Sequence, residues 1–308
     1  MPRELHSALP PVTGANPAGM VTRFAPSPTG YLHLGHVRSA LQGWRVARQA
    51  GGRFLLRIED IDPTRCRPEY RAAIEEDLRA LGLDWDGPVR VQSGHLPEYR
   101  RALDLLARRG LLYPCFCTRA EIAREIARSG TAPHPAPPGE AGPEGPVYPG
   151  TCRRLDPAER ARRLAAGEPH ALRLDMAAAL ATLDGPLSYE EQGRGRLRCD
   201  PARFGDVVLA RKDAPASYHL CVTHDDALQG VTLVTRGDDL RAATDIHRLL
   251  QVLMGWPEPR YAHHPLLLGP DGKRLAKRDG AKPVRELLRD GLSPGAILAL
   301  AEGVAPPA

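Results

Sequence analysis

Two histidines three residues apart carry the first chemical signal of this sequence. His33 and His36 lie in FAPSPTGYLHLGH, residues 24–36, separated by Leu34 and Gly35. Backbone N–H groups at the beginning of a helix attract anions, and imidazole N–H groups can stabilise charge that develops at an α-phosphorus. A glycine lets a flat nucleobase approach the backbone. The motif therefore predicts a triphosphate site, although H-x-x-H alone more often means two exposed histidines at a helix cap.

A second basic segment lies near the other end of the chain. Residues 269–282, GPDGKRLAKRDGAK, place Lys273, Arg274, Lys277 and Arg278 between glycines. Such a mobile cationic loop can clamp a leaving pyrophosphate and then release it. The alternative is an ordinary solvated basic loop.

The cysteines point to thiols or metal ligands rather than to disulfides. Cys115, Cys117 and Cys152 fall in one region of the sequence, whereas the other three cysteines are scattered and are typical of partly buried thiols. Those three are Cys66, Cys199 and Cys221.

Composition excludes a membrane protein and mildly favours a polyanionic partner. The 308 residues are 42% hydrophobic and 26% charged, and no apolar run approaches the roughly 18 residues that a membrane span requires. Residues 1–19 contain no stretch like the apolar core of a signal peptide, which predicts a cytoplasmic protein. The net charge of +5 and the pI of about 9.0 fit nucleic-acid binding, or an arginine-rich composition without functional meaning.

The elements that position these residues alternate between strand and helix. MVTRFAP and RFLLRIEDID are typical of strands, and each precedes a helical pattern: LGHVRSALQGWRVARQA after the first, and residues 68–81 after the second. A further helix is predicted over residues 95–110. This order predicts a parallel sheet with crossover helices and ligands at the carboxyl ends of its strands. Both the histidine motif and Glu59 lie at such ends.

The pattern changes from residue 113. CFCTRAEIAREIARSG is helical after its cysteines, and residues 131–147 are so rich in proline and glycine that we expect a flexible surface insertion. ALRLDM and FGDVVLARKD are typical of strands of a smaller inserted domain. SYHLCVTHDDALQGVTLVTRGDDL shows further strand character, and ATDIHRLLQVLMG is helical.

Several of these segments together resemble a known family. RFAPSPTGYLHLGH resembles the first signature of class I aminoacyl-tRNA synthetases in its glutamyl form, and the loop containing KRLAK resembles the second, usually written KMSKS. The resemblance extends through RIEDIDPTR, YRRALDLLARRGLLYPCFCT, YPGTCR and GVTLVTRGDDL, over about residues 21–290. Leu34 stands where isoleucine is usual, and Arg274, Ala276 and Arg278 stand where a lysine and two serines are expected, whereas Lys277 is kept.

The resemblance implies an α/β fold: a Rossmann-like parallel sheet, an inserted smaller α+β domain that binds zinc, and a short helical C-terminal segment. The implied divisions are a disordered leader 1–20, the first half of the catalytic domain 21–112, the insertion 113–205, the second half 206–265, and the signature loop with a truncated helical segment 266–308.

The same resemblance implies ATP with Mg²⁺, and glutamate, as ligands. The implied catalytic residues are His33, His36 and Lys277, and these bind ATP together with Gly35. The implied glutamate-binding residues are Arg23, Ala25, Ser27, Glu59, Tyr218 and Arg236. Arginine forks for the two carboxylates and an acid for the ammonium group are what a glutamate site needs.

The acceptor and the zinc site are also implied by resemblance. The chain ends about thirty residues after Lys277, where a full glutamyl-tRNA synthetase continues into an anticodon-binding domain. It therefore resembles the glutamyl-queuosine tRNA(Asp) synthetase family, monomeric enzymes that activate glutamate without tRNA and transfer it to queuosine in the anticodon loop. Single-stranded RNA with accessible bases suits such a core.

The zinc ligands implied for that family are Cys115, Cys117, Tyr148 and Cys152, which suit a closed tetrahedral structural site. His134 is an alternative fourth ligand, and metal-free thiols are the alternative to zinc.

Three other functions stay open. A truncated glutamyl-tRNA synthetase would charge the 3′ end of its tRNA. A nucleotidyltransferase would use His33 and His36 but leaves the glutamate-pocket segments unexplained. A degenerate synthetase core would bind RNA without catalysis, which the altered second signature favours.

Overall fold

The computed structural model describes residues 19–129, 141–267 and 282–304. Several predictions lie outside these residues: the leader up to residue 18, the part of the insertion with His134, and the basic loop with Lys273, Arg274, Ala276, Lys277 and Arg278. Within the described ranges, no helix combines the length and the apolar character needed to cross a membrane.

The strands and helices of the described residues follow the alternation predicted from the sequence. The strands are β1 (Val21–Phe24), β2 (Arg53–Ile58), β3 (Arg90–Val91), β4 (Leu112–Cys115), β5 (Ala141–Gly142), β6 (Gly145–Pro146), β7 (Ala171–Leu174), β8 (Ser188–Glu191), β9 (Gly195–Arg198), β10 (Val208–Ala210), β11 (Leu233–Gly237) and β12 (Arg260–His264). The helices are α1 (Leu34–Gln49), α2 (Pro68–Ala80), α3 (Leu96–Arg108), α4 (Arg119–Ser129), α5 (Pro157–Ala165), α6 (Met176–Ala181), α7 (Tyr218–Leu228), α8 (Thr244–Met254), α9 (Val284–Arg289) and α10 (Pro294–Glu302).

The strands that carry the site are parallel, as predicted. β1 pairs with β2 and β2 with β3, while β11 pairs with β12 and β12 with β8, all in parallel. The two groups meet beside β1, where the Thr232 N–H donates to the Val21 carbonyl over 2.9 Å. The carboxyl ends of β1, β2 and β11 therefore open on the same edge.

Helix α1 packs closely on this sheet because of its sequence. Val37, Ala40 and Leu41 are buried on the face that meets the strands. A Cβ at Gly43 would lie 2.9 Å from Thr235 Oγ1 on β11, so the absence of a side chain permits the approach. The N-terminus of α1 is thereby held at the carboxyl ends of the strands.

A second, antiparallel sheet contains β4, β7 and β10 in the order β10-β7-β4. β8 and β9, residues 188–198, join the main sheet, whereas β10, residues 208–210, joins the smaller one. Strand pairing therefore does not follow the predicted division at residue 205. Residues 141–146 form the β5–β6 hairpin in place of the irregular loop expected there.

The strand character predicted for SYHLCVTHDDAL is wrong, because this segment is helix α7. Its residues are buried almost all around, including the acids Asp225 and Asp226. A helix without a solvated face does not show the 3.6-residue alternation by which sequence patterns identify helices.

Candidate functional site

A cavity of about 430 Å³ lies at the carboxyl ends of β1, β2 and β11, beside the N-terminus of α1. The residues predicted to bind ATP or glutamate that line it are Arg23, Ala25, Ser27, His33, Gly35, His36, Glu59, Tyr218 and Arg236. The structure thus brings all of them together except Lys277, which lies outside the described residues. Ala25 and Ser27 belong to the loop that follows β1.

The two histidines cap α1 and present defined protons. His33 Nδ1 accepts from the Gly35 N–H over 3.1 Å, and His36 Nδ1 accepts from the His33 N–H over 3.2 Å. A neutral imidazole that accepts at Nδ1 carries its proton on Nε2. The rings lie 3.8 Å apart between centroids, so two Nε2–H donors stand side by side at this helix end.

The electrostatics at this end of the cavity favour an anion. Helix α1 has no acidic residue in its first turn, so its positive dipole end is not compensated there. Arg38 also lines the cavity. A phosphate group fits this combination.

Arg236, at the end of β11, is held by neutral acceptors. Its Nε donates to His263 Nε2 over 3.1 Å, Nη1 to His247 Nδ1 over 3.0 Å, and Nη2 to Thr244 Oγ1 over 2.7 Å. No carboxylate of the described residues lies within ion-pair distance of it. A guanidinium has five N–H donors, so one on each terminal nitrogen remains for a ligand. This cation is suited to bind a ligand carboxylate.

Arg23 differs from Arg236, because its guanidinium already binds a carboxylate of the protein. Its Nε and Nη2 donate to Asp226 over 2.9 and 3.2 Å, and Nη1 donates to the Thr235 carbonyl. From the sequence, this guanidinium was predicted to bind a carboxylate of the ligand. Arg23 lines the cavity, but its charge is balanced inside the protein.

Glu59 is buried at the end of β2, where Arg57 Nη2 donates to it over 3.3 Å. Burial raises the pKa of Glu59, and the neighbouring Arg57 and Arg23 oppose this shift. A ligand ammonium group would favour the ionised form further. Tyr218 is half-buried opposite, at the first turn of α7, and burial raises the pKa of its phenol.

Sequence reasoning missed several residues of the site. His264 is the last residue of β12, and its Nε2 lies 3.1 Å from Ser39 Oγ; both residues line the cavity. Two consecutive histidines at a strand end, His263 and His264, were the signal available. Asp226, the partner of Arg23, gave no comparable signal, since 203 residues separate the two.

A second group of ligand-type atoms lies in the smaller sheet. Cys115, Cys117 and Cys152 place their sulfurs within 4.8 Å of one another. Tyr148 Oη lies 3.4 Å from Cys115 Sγ and 3.5 Å from Cys117 Sγ, while the Sγ atoms of Cys117 and Cys152 are 3.4 Å apart. A tetrahedral zinc ion with bonds of about 2.3 Å to sulfur and about 2.0 Å to oxygen separates its ligands by roughly 3.5–3.8 Å.

The chemistry of this donor set also fits a metal. A hydrogen bond from Cys115 lowers the pKa of Cys152 to about 6, which favours a thiolate near neutral pH, whereas the same hydrogen bond and burial raise the pKa of Cys115 to about 12, so Cys115 would lose its proton only on binding a metal. The Tyr148 Oη accepts the Cys152 N–H over 2.8 Å and so is fixed among the sulfurs. The residues present therefore suit a structural zinc ion.

Glu98, His224 and Asp225 form another group of metal-ligand type, but they do not suit a metal. Asp225 is buried and already receives Tyr99 Oη over 2.8 Å and lies 3.0 Å from Arg90 Nε. Cations and donors of the protein satisfy this carboxylate.

Comparison with known proteins identifies relatives of the whole described chain. Residues 19–300 match the family model described as tRNA synthetases class I (E and Q), catalytic domain. The chain is 50% identical over 285 residues to the Glutamyl-Q tRNA(Asp) synthetase of Rhodobacter capsulatus, covering 90% of this chain and 98% of that protein. It is 48% identical to the protein of the same name from Nocardia farcinica, covering 92% and 83%.

Longer ligases match about the same residues of this chain. The Glutamate–tRNA ligase of Aquifex aeolicus is 39% identical over 278 residues, covering 90% of this chain and 55% of that protein. The crystal structure of a glutamate tRNA ligase from Elizabethkingia meningosepticum in complex with its amino acid superposes with a TM-score of 0.75 at 29% identity, covering 92% and 60%. The chain thus spans a little over half the length of these ligases.

Proposed function

The chain belongs to the class I tRNA synthetase family of the E and Q type, whose members are ATP-dependent ligases, and we propose that it activates glutamate without tRNA. The glutamyl group is then transferred to queuosine in the anticodon of tRNA(Asp). The observation that carries the proposal is one cavity lined both by a guanidinium without a protein carboxylate and by a helix N-terminus with two imidazoles.

In the proposed glutamate site, Arg236 receives the side-chain carboxylate of the substrate. Glu59 binds the ammonium group, and Tyr218 completes the lining of the cavity between Arg236 and Glu59. Ala25 and Ser27 contact the amino acid along the loop after β1. Arg23 supports the proposed glutamate site through its contact with Asp226. Because Asp226 balances its charge, Arg23 attracts the ligand less strongly than Arg236 does.

In the proposed ATP site, His33 and His36 donate from Nε2 to the phosphates beside Gly35, and Lys277 contributes from the second signature. Mg²⁺, when bound with ATP, neutralises phosphate charge. An oxygen of the glutamate α-carboxylate attacks the α-phosphorus in line, the bond to the bridging oxygen breaks, and pyrophosphate leaves. Positioning and donor groups suffice for this step, without a protein nucleophile.

In the second step, a hydroxyl of the acceptor attacks the acyl carbon of the adenylate. An ester forms, AMP leaves, and the hydroxyl proton passes to solvent or to the leaving phosphate. The acceptor is proposed from the relatives, since those named Glutamyl-Q tRNA(Asp) synthetase are 43–50% identical to this chain.

We also propose that Cys115, Cys117, Tyr148 and Cys152 hold one structural zinc ion. The ion would join the end of β4 to the 148–152 segment. The support is the spacing of the four donor atoms.

Transfer of labelled glutamate tests the acceptor. The chain is incubated with ATP, labelled glutamate and tRNA(Asp), either containing or lacking queuosine, and nuclease fragments locate the label. We expect label in the anticodon fragment only when queuosine is present. In a parallel reaction with tRNA(Glu), label at the 3′-terminal adenosine would instead support an ordinary glutamyl-tRNA ligase activity, which the 39–40% identity to such ligases favours as the second candidate.

A further inference from the structure

A chain of hydrogen bonds leads from Arg236 to the surface of the insertion. Arg236 Nη1 lies 3.0 Å from His247 Nδ1, and His247 Nε2 lies 3.3 Å from His219 Nδ1. His219 Nε2 then lies 3.2 Å from Glu144 Oε2. The two histidines occupy the first turns of α8 and α7, and Glu144 lies between β5 and β6.

The hydrogen bonds of this network all point the same way, from Arg236 towards Glu144. Arginine can only donate, so His247 accepts at Nδ1 and carries its proton on Nε2. His219 must then accept at Nδ1 and donate from Nε2 to the Glu144 carboxylate. Burial and the charge of Arg236 hold the pKa of His247 well below its usual value, so this imidazole stays neutral. The hydrogen bond from His219 lowers the pKa of Glu144, which keeps the carboxylate ionised.

The hairpin that carries Glu144 is seated firmly on the protein. A Cβ at Gly142 would lie only 2.8 Å from the carbonyl oxygen of Arg203, so the hairpin backbone approaches this segment as closely as a glycine permits. Any side chain at this position would lift the hairpin. Glu144 itself keeps 54% of its side chain exposed and reaches the protein interior through its contact with His219.

We propose that Glu144 is a positioning residue for Arg236, acting through His219 and His247, so that the seated hairpin sets the affinity of the cavity for the ligand carboxylate. The inference rests on the proposed function, because it takes glutamate as the ligand of Arg236. It adds a residue of the insertion, outside the cavity, to the determinants of substrate binding. Arg236 sets the direction of the hydrogen bonds, and the ionised carboxylate of Glu144 anchors the far end of the network, holding His219 and thereby His247 in place against the guanidinium.

Glutamate-dependent ATP–pyrophosphate exchange by the full chain tests this role through separate KM values. Glu144→Gln keeps an oxygen acceptor but removes its charge, and should raise KM for glutamate roughly fivefold, the effect of replacing a charge-assisted hydrogen bond by a neutral one, while kcat and KM for ATP stay within twofold. Gly142→Val, which lifts the hairpin without changing a charge, should act in the same way. Glu159→Gln is the matched control, because Glu159 is partly exposed on α5 and forms its ion pair with Arg162, one helical turn away, over 2.7 Å.

Variants of the histidines separate positioning from simple packing. His247→Gln keeps an oxygen acceptor for Arg236 and should retain KM for glutamate within about threefold, whereas His247→Leu should raise it tenfold or more. In a His219→Leu background, Glu144→Gln should have no further effect, since coupled residues are not additive.

Equal KM for glutamate in wild type and Glu144→Gln, or additive effects of Glu144→Gln and His219→Leu, would overturn the role of Glu144. If the wild type itself shows no glutamate-dependent exchange, the proposed function fails instead. Nitrogen NMR of His247 gives an independent check without substrate: we expect its proton on Nε2, and a proton on Nδ1 would contradict the chain of donors.

Discussion

Arg236 and Arg23 line the same cavity but have different electrostatic roles. The Arg23 guanidinium donates to Asp226, and Arg57 Nη1 donates to the same carboxylate over 2.8 Å. These charges therefore balance one another in the interior. Arg236 is surrounded by two imidazoles and a hydroxyl. A cation held by neutral groups keeps its attraction for an incoming anion, whereas one paired with an acid does not.

Substitution of Arg236 should therefore weaken glutamate binding selectively. We expect Arg236→Gln to raise KM for glutamate roughly hundredfold, since a buried charged fork contributes about 3 kcal/mol. KM for ATP should change little, because the proposed phosphate site is at the α1 end of the cavity. Exchange kinetics at varied glutamate measure this, with Arg289→Gln on α9 as the control. A change below threefold would mean that another residue binds the carboxylate.

His263 links the same arginine to stability against acid. Burial and the charge of Arg236 lower the pKa of His263 to about 4, although the adjacent Glu191 opposes this shift. In the unfolded chain its pKa is about 6.5, so between pH 6.5 and 4 the unfolded state binds a proton that the folded state does not. The free energy of unfolding should therefore fall on acidification through this window.

The slope is at most about 1.4 kcal/mol per pH unit for one group. Urea unfolding of wild type and His263→Gln between pH 6.5 and 4.5 measures it, and the variant should show the smaller loss. The partly exposed His95 provides the control His95→Gln. Identical slopes in wild type and His263→Gln would show that His263 does not cause the loss.

At the scale of elements, the position of α1 determines where its N-terminus meets the cavity. The helix can approach β11 only because Gly43 has no side chain, and Phe54 Cε2 would lie 3.2 Å from a Cβ there. The histidine motif was predictable from sequence because a strand, a proline turn and a helix start follow one another locally. The contact of Gly43 with Thr235 was not predictable from sequence, since the two residues are 192 positions apart in the chain.

Gly43→Val should lower the free energy of unfolding by roughly 1–3 kcal/mol, because the added atoms force α1 away from the sheet. Gly94→Ala is the matched control, since a Cβ at Gly94 meets nothing within 4 Å. Urea unfolding compares the two. Equal stability of both variants would show that α1 does not need this close approach.

The cysteine cluster joins β4 to the segment that contains Tyr148 and Cys152. If these residues hold zinc, the purified chain should contain about one zinc ion, and Cys152→Ser should lose it. Chelation should lower the melting temperature of wild type and leave that of Cys152→Ser unchanged. Metal analysis measures the content, with Cys66→Ser as the control that keeps the ion. Wild-type protein without zinc, purified without chelator, would refute the site.

At the scale of the molecule, sequence patterns predicted what depends on neighbours in the chain. The alternation of strands and helices, the parallel sheet and the carboxyl-end position of the histidines all rest on local signals. Helix α7 was not predicted because its surroundings bury it almost all around, and its Asp226 meets Arg57 and Arg23 from distant strands. The contact of Glu144 with His219 spans 75 residues and had no local sign.

The proposed glutamate and ATP sites draw on both halves of the sheet. β1, β2 and α1 supply Glu59 and the histidines, while β11 and α7 supply Arg236 and Tyr218. Neither half alone has both a carboxylate-binding cation and an anion-binding helix end of this kind among the described residues. We therefore propose that glutamate and ATP react in this cavity before any RNA binds.

ATP–pyrophosphate exchange in the absence of tRNA tests that claim most directly. We predict exchange that depends on glutamate, is at least a hundredfold weaker with aspartate or glutamine, and is lost in His36→Ala. Exchange that requires tRNA, or that proceeds equally without glutamate, would contradict the account.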